Sequence, residues 1–154
     1  MVDTVSIVLS AVVSVAVSLA SVEYRIRRSR SIQQDDEVSE WYADAASYAN
    51  KVQSTWETKF ERPYEENQFT SFDEVQREMN LFQTQLTNHA AEANGVEVDE
   101  DVVDVVEETA EACRSVYEIR THMNVLPEFE EQGRTAKQQA AELEEKALEK
   151  LSEA

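Results

Sequence analysis

His89, His122, Cys113 and an unusual stock of carboxylates are the side chains from which this chain would have to build chemistry. A di-iron helical bundle needs Glu-x-x-His on each of two helices, with further carboxylates pointing inward. Three residues before His89 stands Leu86, and three before His122 stands Ile119, so that pattern fails at both. Glu118 and His122 share one helical face at a spacing of four, which makes a weak metal pair at most; exposed or partly packed histidines are expected. Cys113 has no second cysteine to pair with and no partner that would activate it, and it falls on an apolar stripe, so a buried structural thiol is expected. With 32 Asp and Glu, close acidic pairs are inevitable and none can be singled out as acid and base. Gly95 and Gly133 are isolated, so no glycine-rich phosphate loop exists. No catalytic, cofactor-binding or metal residue is nominated, no cofactor or small-molecule substrate is implied, and a non-enzymatic protein is expected.

The formal charge of −18 limits partners. Outside residues 1–30 the chain carries 30 acids against 10 bases. Such a field repels phosphates, so nucleic acid is not an expected partner. Lysine is scarcer than arginine, and the apolar set leans on Val and Ala. In this composition, though in no motif, the chain resembles haloarchaeal single-pass membrane proteins with an acidic helical domain. The resemblance implies a working environment of molar salt, where a Debye length of ~3 Å screens neighbouring carboxylates.

The elements that would position these groups begin with an uncharged run of 19 residues, Thr4 to Val22. At ~1.5 Å per residue this matches a hydrocarbon core of ~30 Å, so an N-terminal transmembrane helix is expected. A cleaved signal peptide is the rival: Ser18-Leu19-Ala20 resembles a cleavage site, but Asp3 stands where a basic region belongs. Arg25, Arg27, Arg28 and Arg30 follow the run. By the positive-inside rule they hold that flank in the cytoplasm and leave the N-terminus outside. They also suit contact with anionic lipid headgroups. Ser6, Ser10, Ser14 and Ser18 recur once per turn. Small residues at that spacing let membrane helices approach closely, so the stripe points to self-association or to pairing with another membrane protein. A serine bonded to the carbonyl one turn back would need no such partner.

Four amphipathic segments follow. The first, from Asp35 to Glu61, sets Val38, Tyr42, Ala45, Ala49, Val52, Trp56 and Phe60 on one face, beside Trp41 and Tyr48. Pro63 is expected to end it. The aromatic side chains read as core more readily than as a docking surface. The second opens on Ser71 and Glu74 in capping-box spacing and stops at Asn94-Gly95. Its face is Val75, Met79, Phe82, Leu86, Ala90 and Ala93. The third begins after Asp99 and runs through Val102, Val106, Ala110, Cys113, Val116 or Tyr117, Arg120 and Met123. The fourth opens at Pro127 and carries Phe129, Gly133, Ala136, Ala140, Leu143, Ala147 and Leu151, a face thin in large side chains.

The expected fold is all-α: one N-terminal transmembrane helix followed by an antiparallel bundle of three to four long helices. Residues 1–23 are the anchor, 24–34 a basic juxtamembrane segment and linker, 35–126 the acidic bundle core, and 127–154 a C-terminal amphipathic helix, docked or partner-binding. The function this organisation suggests is a membrane-anchored scaffold or interaction protein facing the cytoplasm. The alternative is a ligand-binding or signal-relaying module acting with a membrane partner.

Overall fold

The computed structural model describes residues 33–69, 71–120 and 125–153. The chain divides into two units, Met1–Asp36 and Glu37–Ala154, and the architecture below is that of the second. The described residues are helical, without strands. Helix α1 is α-helical over 33–56, passes through a π-helical segment at Glu57–Glu61 and ends with Arg62–Glu65. Helices α2 (Phe72–Glu92), α3 (Glu100–Tyr117) and α4 (Leu126–Glu153) follow. No described helix is long and apolar enough to cross a membrane. The expected anchor at Thr4–Val22 lies outside the described residues.

The helices form a bundle closed into a ring. Against α1, α2 brings Glu74 to Lys59 and His89 to Trp41. Gln76 of α2 reaches the carbonyls of Val116 and Ile119 at the end of α3. Between α3 and α4, Asp99 meets Lys150 and Asp101 meets Lys146. Finally α4 returns to α1: Lys137 bridges Glu57 and Glu61, while Glu144 accepts from Gln53. In the first and last of these pairings, rising numbers on one helix meet falling numbers on the other, so α1 runs opposite to both α2 and α4.

Packing, not charge, holds this ring. Trp56, Phe129, Met79, Leu86 and Leu143 head the fully buried side chains. Full burial of a large apolar side chain stabilises by about 1.5–3 kcal/mol. A half-exposed lysine bridge contributes about 0–1 kcal/mol. The bridges therefore fix which residues face each other, and the core supplies most of the stability. The small face of α4 is buried from Phe129 through Ala147. It needs little bulk because α1 fills the space: a Cβ on Gly133 would lie 1.8 Å from the Trp56 ring.

Three local expectations are corrected. Pro63 does not end α1. Proline lacks an N–H and its ring clashes with the carbonyl four residues back. In the widened turn just before it, the Arg62 N–H donates to the Glu57 carbonyl, five residues back, and the helix passes through. The stop comes at Asn67, whose φ of 55° is left-handed. Its N–H donates to the Tyr64 carbonyl and that of Gln68 to the Pro63 carbonyl, the paired bonds of a Schellman ending.

The capping box of α2 is half formed. Ser71 Oγ accepts from the Asp73 N–H at 3.2 Å, but Glu74 turns outward to Lys59 at 2.6 Å, an ion pair in place of a backbone amide. The stop expected at Asn94-Gly95 is present and is made without a left-handed turn, since no glycine has positive φ. Ala93–Gly95 form one 3₁₀ turn, and the Asn94 side-chain amide donates to the Ala91 carbonyl. The α3 face is broader and shorter than its spacing suggests. Val105, Thr109 and Ala112 are buried, Val116 turns inward while Tyr117 is exposed, and Arg120 is exposed beyond the helix end. Met123 lies outside the described residues.

Candidate functional site

The aromatic residues separate into two groups along α1. Near Phe60, a ladder runs from Trp56 through Phe60 to Tyr64, with ring centroids 4.4 and 5.5 Å apart and near-parallel planes. Phe129 and Phe69 meet it edge-on or tilted, and Phe72 lies edge-on to both of these. Glu61 ties the π-helical segment into this group. One carboxylate oxygen accepts from Trp56 Nε1 at 3.0 Å and the other from Lys137 Nζ at 2.8 Å. The hydrogen bond to Glu61, with a second to Glu57, raises the Lys137 pKa above its ordinary value. Beside the ladder lies an open cleft of about 230 Å³ bordered by Glu61, Glu65, Glu130 and Arg134.

The second group is built around His89, and here the expectation of an exposed or partly packed histidine is wrong. The ring is 3 % exposed. It stacks on Trp41 at a centroid distance of 4.5 Å and an angle of 15°, with Tyr48 edge-on at 5.4 Å. Two bonds lock the pair. Trp41 Nε1 donates to the His89 carbonyl at 3.1 Å, and His89 Nε2 lies 3.0 Å from the Trp41 carbonyl. A carbonyl can only accept, so Nε2 carries the proton. The other ring nitrogen, Nδ1, lies 3.5 Å from Glu92 Oε2. A cleft of about 280 Å³ opens here, bordered by Glu37, Glu40, Asp44 and Glu92 as well as Trp41 and His89. Below it, the Asp99 N–H donates to the Tyr42 hydroxyl at 2.9 Å, joining the start of α3 to α1.

Cys113 is fully buried, and desolvation pushes its thiol up to about 12. Such a thiol is neutral and unreactive at physiological pH. Ser6, Ser10, Ser14 and Ser18, like Arg25, Arg27, Arg28, Arg30 and His122, lie outside the described residues. Among the described residues, no group of three or more His, Cys, Asp and Glu side chains is gathered around one point.

The sequence does carry a trace of the second group. A search for glutamate three residues before each histidine passes over His89-x-x-Glu92, which has the acid three residues after. On a helix either order places both side chains on one face. What the spacing does not reveal is Trp41, 48 residues away, whose backbone carbonyl sets the imidazole tautomer.

No protein family, curated protein or solved structure matches the chain.

Proposed function

We propose that this chain is a non-enzymatic, membrane-anchored scaffold or interaction protein, held by Thr4–Val22 with its helical domain on the cytoplasmic face. The carrying observation is the order of the sequence: an uncharged run of membrane length, then Arg25, Arg27, Arg28 and Arg30, then a domain that turns strongly acidic. The arginines fix the orientation and lie close to anionic headgroups, while the net negative domain is repelled from the same surface. The serine stripe Ser6, Ser10, Ser14 and Ser18 supplies close approach to a second copy or to another membrane protein. The bundle supports this reading in one physical respect. Its four helices spend their apolar faces on one another, so a partner would meet the carboxylate-rich exterior.

The second reading, a ligand-binding or signal-relaying module, draws support from one feature. The Trp41–His89 cleft joins α1 to the last turn of α2 and is lined by both.

Because Cys113 is buried on either side of a membrane, orientation is tested with an added, exposed thiol. In full-length Cys113→Ala, Asn88→Cys should stay unlabelled by a membrane-impermeant maleimide in intact cells and label after lysis. The protein should also resist alkaline extraction from membranes, and a chain lacking residues 1–23 should be released. Labelling of intact cells, or alkaline release of the full chain, would overturn the proposal.

A further inference from the structure

We infer that His89 and Glu92 form the protein half of a binding site for a first-row divalent transition ion such as Zn²⁺, at the mouth of the Trp41 cleft. With Nε2 donating to the Trp41 carbonyl, Nδ1 is the ring nitrogen left to meet Glu92. It lies 3.5 Å from Glu92 Oε2, beyond useful hydrogen-bond length. A ring nitrogen and a carboxylate oxygen held this close are joined by a positive centre, either a proton on Nδ1 or a metal ion that takes its place. Zinc–nitrogen and zinc–oxygen bonds of about 2.0–2.2 Å at a tetrahedral angle set their ligand atoms roughly 3.4 Å apart. The observed separation is the bite of one such ion.

The surroundings agree with the pair. A metal-bound histidine characteristically donates its other ring N–H to a backbone carbonyl or carboxylate, which fixes tautomer and ring plane. Trp41 supplies that carbonyl, and stacking on its indole restrains the same plane. The ring is nine-tenths buried and more, so it cannot turn Nδ1 away from Glu92. Glu37, Glu40 and Asp44 of α1 border the cleft from the opposite side, and no Lys or Arg borders it. A low-dielectric floor under several carboxylates focuses negative potential and concentrates cations. Imidazole nitrogen selects zinc, copper, nickel or cobalt over calcium and magnesium, which prefer all-oxygen sites. No third described ligand is gathered at the same point, so water, or a carboxylate of α1 swung inward, completes the shell.

The test uses the full chain in detergent without a histidine tag, titrated with Co²⁺ in molar KCl to screen diffuse binding by surface carboxylates. One equivalent should bind with visible ligand-field absorption and be displaced by Zn²⁺. Glu92→Gln alters an exposed side chain, so it leaves the fold intact, and should weaken binding by about tenfold or more. Glu107→Gln and His122→Gln should leave binding unchanged. The site is overturned if no saturable binding appears, if Glu92→Gln binds like the parent, or if the loss follows His122→Gln instead.

Discussion

The Trp56 indole occupies the space that a side chain at residue 133 would need, with Cη2 only 1.8 Å from an ideal Cβ on Gly133. A mid-helix glycine is normally a weakness of about 1 kcal/mol relative to alanine. Here it admits a ring that is 1 % exposed and stacked or tilted against Phe60 and Phe129. Gly133→Ala should therefore destabilise the bundle despite its better helix propensity, by roughly 1–3 kcal/mol, the usual range for overpacking. Thermal unfolding measures it. Adding Trp56→Leu should make Gly133→Ala much less costly, since the two residues share one space. Equal costs in both backgrounds would mean that the contact does not limit packing.

Asn67 carries the stop of α1 at φ 55°. Asn67→Gly should be neutral or slightly stabilising, whereas Asn67→Val should cost about 1–2 kcal/mol, because a branched Cβ crowds the backbone in the left-handed region. Urea unfolding of the two variants separates them. Similar midpoints would remove Asn67 from its role as terminator.

How much of this was legible beforehand follows from which physics is local. The stripes of α2 and α4 emerge from side-chain spacing because helical period alone decides which residues share a face. The end of α1 does not. Pro63 is the strongest breaker in its region, and only the bond from the Arg62 N–H to the Glu57 carbonyl lets the chain pass it. Glu74 leaves its capping role for Lys59, 15 residues away, and a rule built on neighbours cannot see that competitor. His89 is the sharpest case. Its burial, ring plane and tautomer all come from Trp41, so a local search judges it an ordinary surface histidine.

Cys113 gives a pH signature. Burial raises the thiol from its ordinary 9.0 to about 12, so the unfolded chain loses this proton first as pH rises. Between these values the unfolded state binds fewer protons, and stability should fall by about 1.4 kcal/mol per pH unit from this group. Lys59 and Lys137, whose pKa values are raised by hydrogen bonds to Glu74 and Glu61, also lose stability toward alkaline pH. The comparison with Cys113→Ala therefore isolates the thiol: its unfolding free energy should fall less steeply above pH 9.0. Parallel slopes would mean that the thiol titrates as though exposed.

Salt should matter through two opposing effects. Screening weakens bridges such as Lys59–Glu74 and Lys137–Glu61, each worth at most about 1 kcal/mol. It also relieves repulsion among 30 acids balanced by only 10 bases outside residues 1–30. The repulsive sum is larger, so helical circular dichroism of residues 31–154 should be strong in molar KCl and much reduced in dilute neutral buffer. Full helicity in dilute buffer would count against the halophilic reading.

The serine stripe yields the most selective test of the proposed association. If two membrane helices meet along Ser6, Ser10, Ser14 and Ser18, then Ser10→Leu and Ser14→Leu place bulk where the backbones must approach. Val8→Leu and Val15→Leu add volume on the far side of the same helix and serve as controls. All four changes keep the segment apolar, so insertion is preserved and association alone is read. Hydrogen bonds between membrane helices average only ~0.6 kcal/mol, so most of any loss should come from spoiled packing, not from missing hydroxyls. Ser→Ala at the same positions should accordingly be mild. In an energy-transfer assay of residues 1–30, association should rank parent first, alanine slightly weaker and leucine strongly weaker, with the valine controls near the parent. Leucine acting alike at the serines and the valines would strip the stripe of its role as an interface.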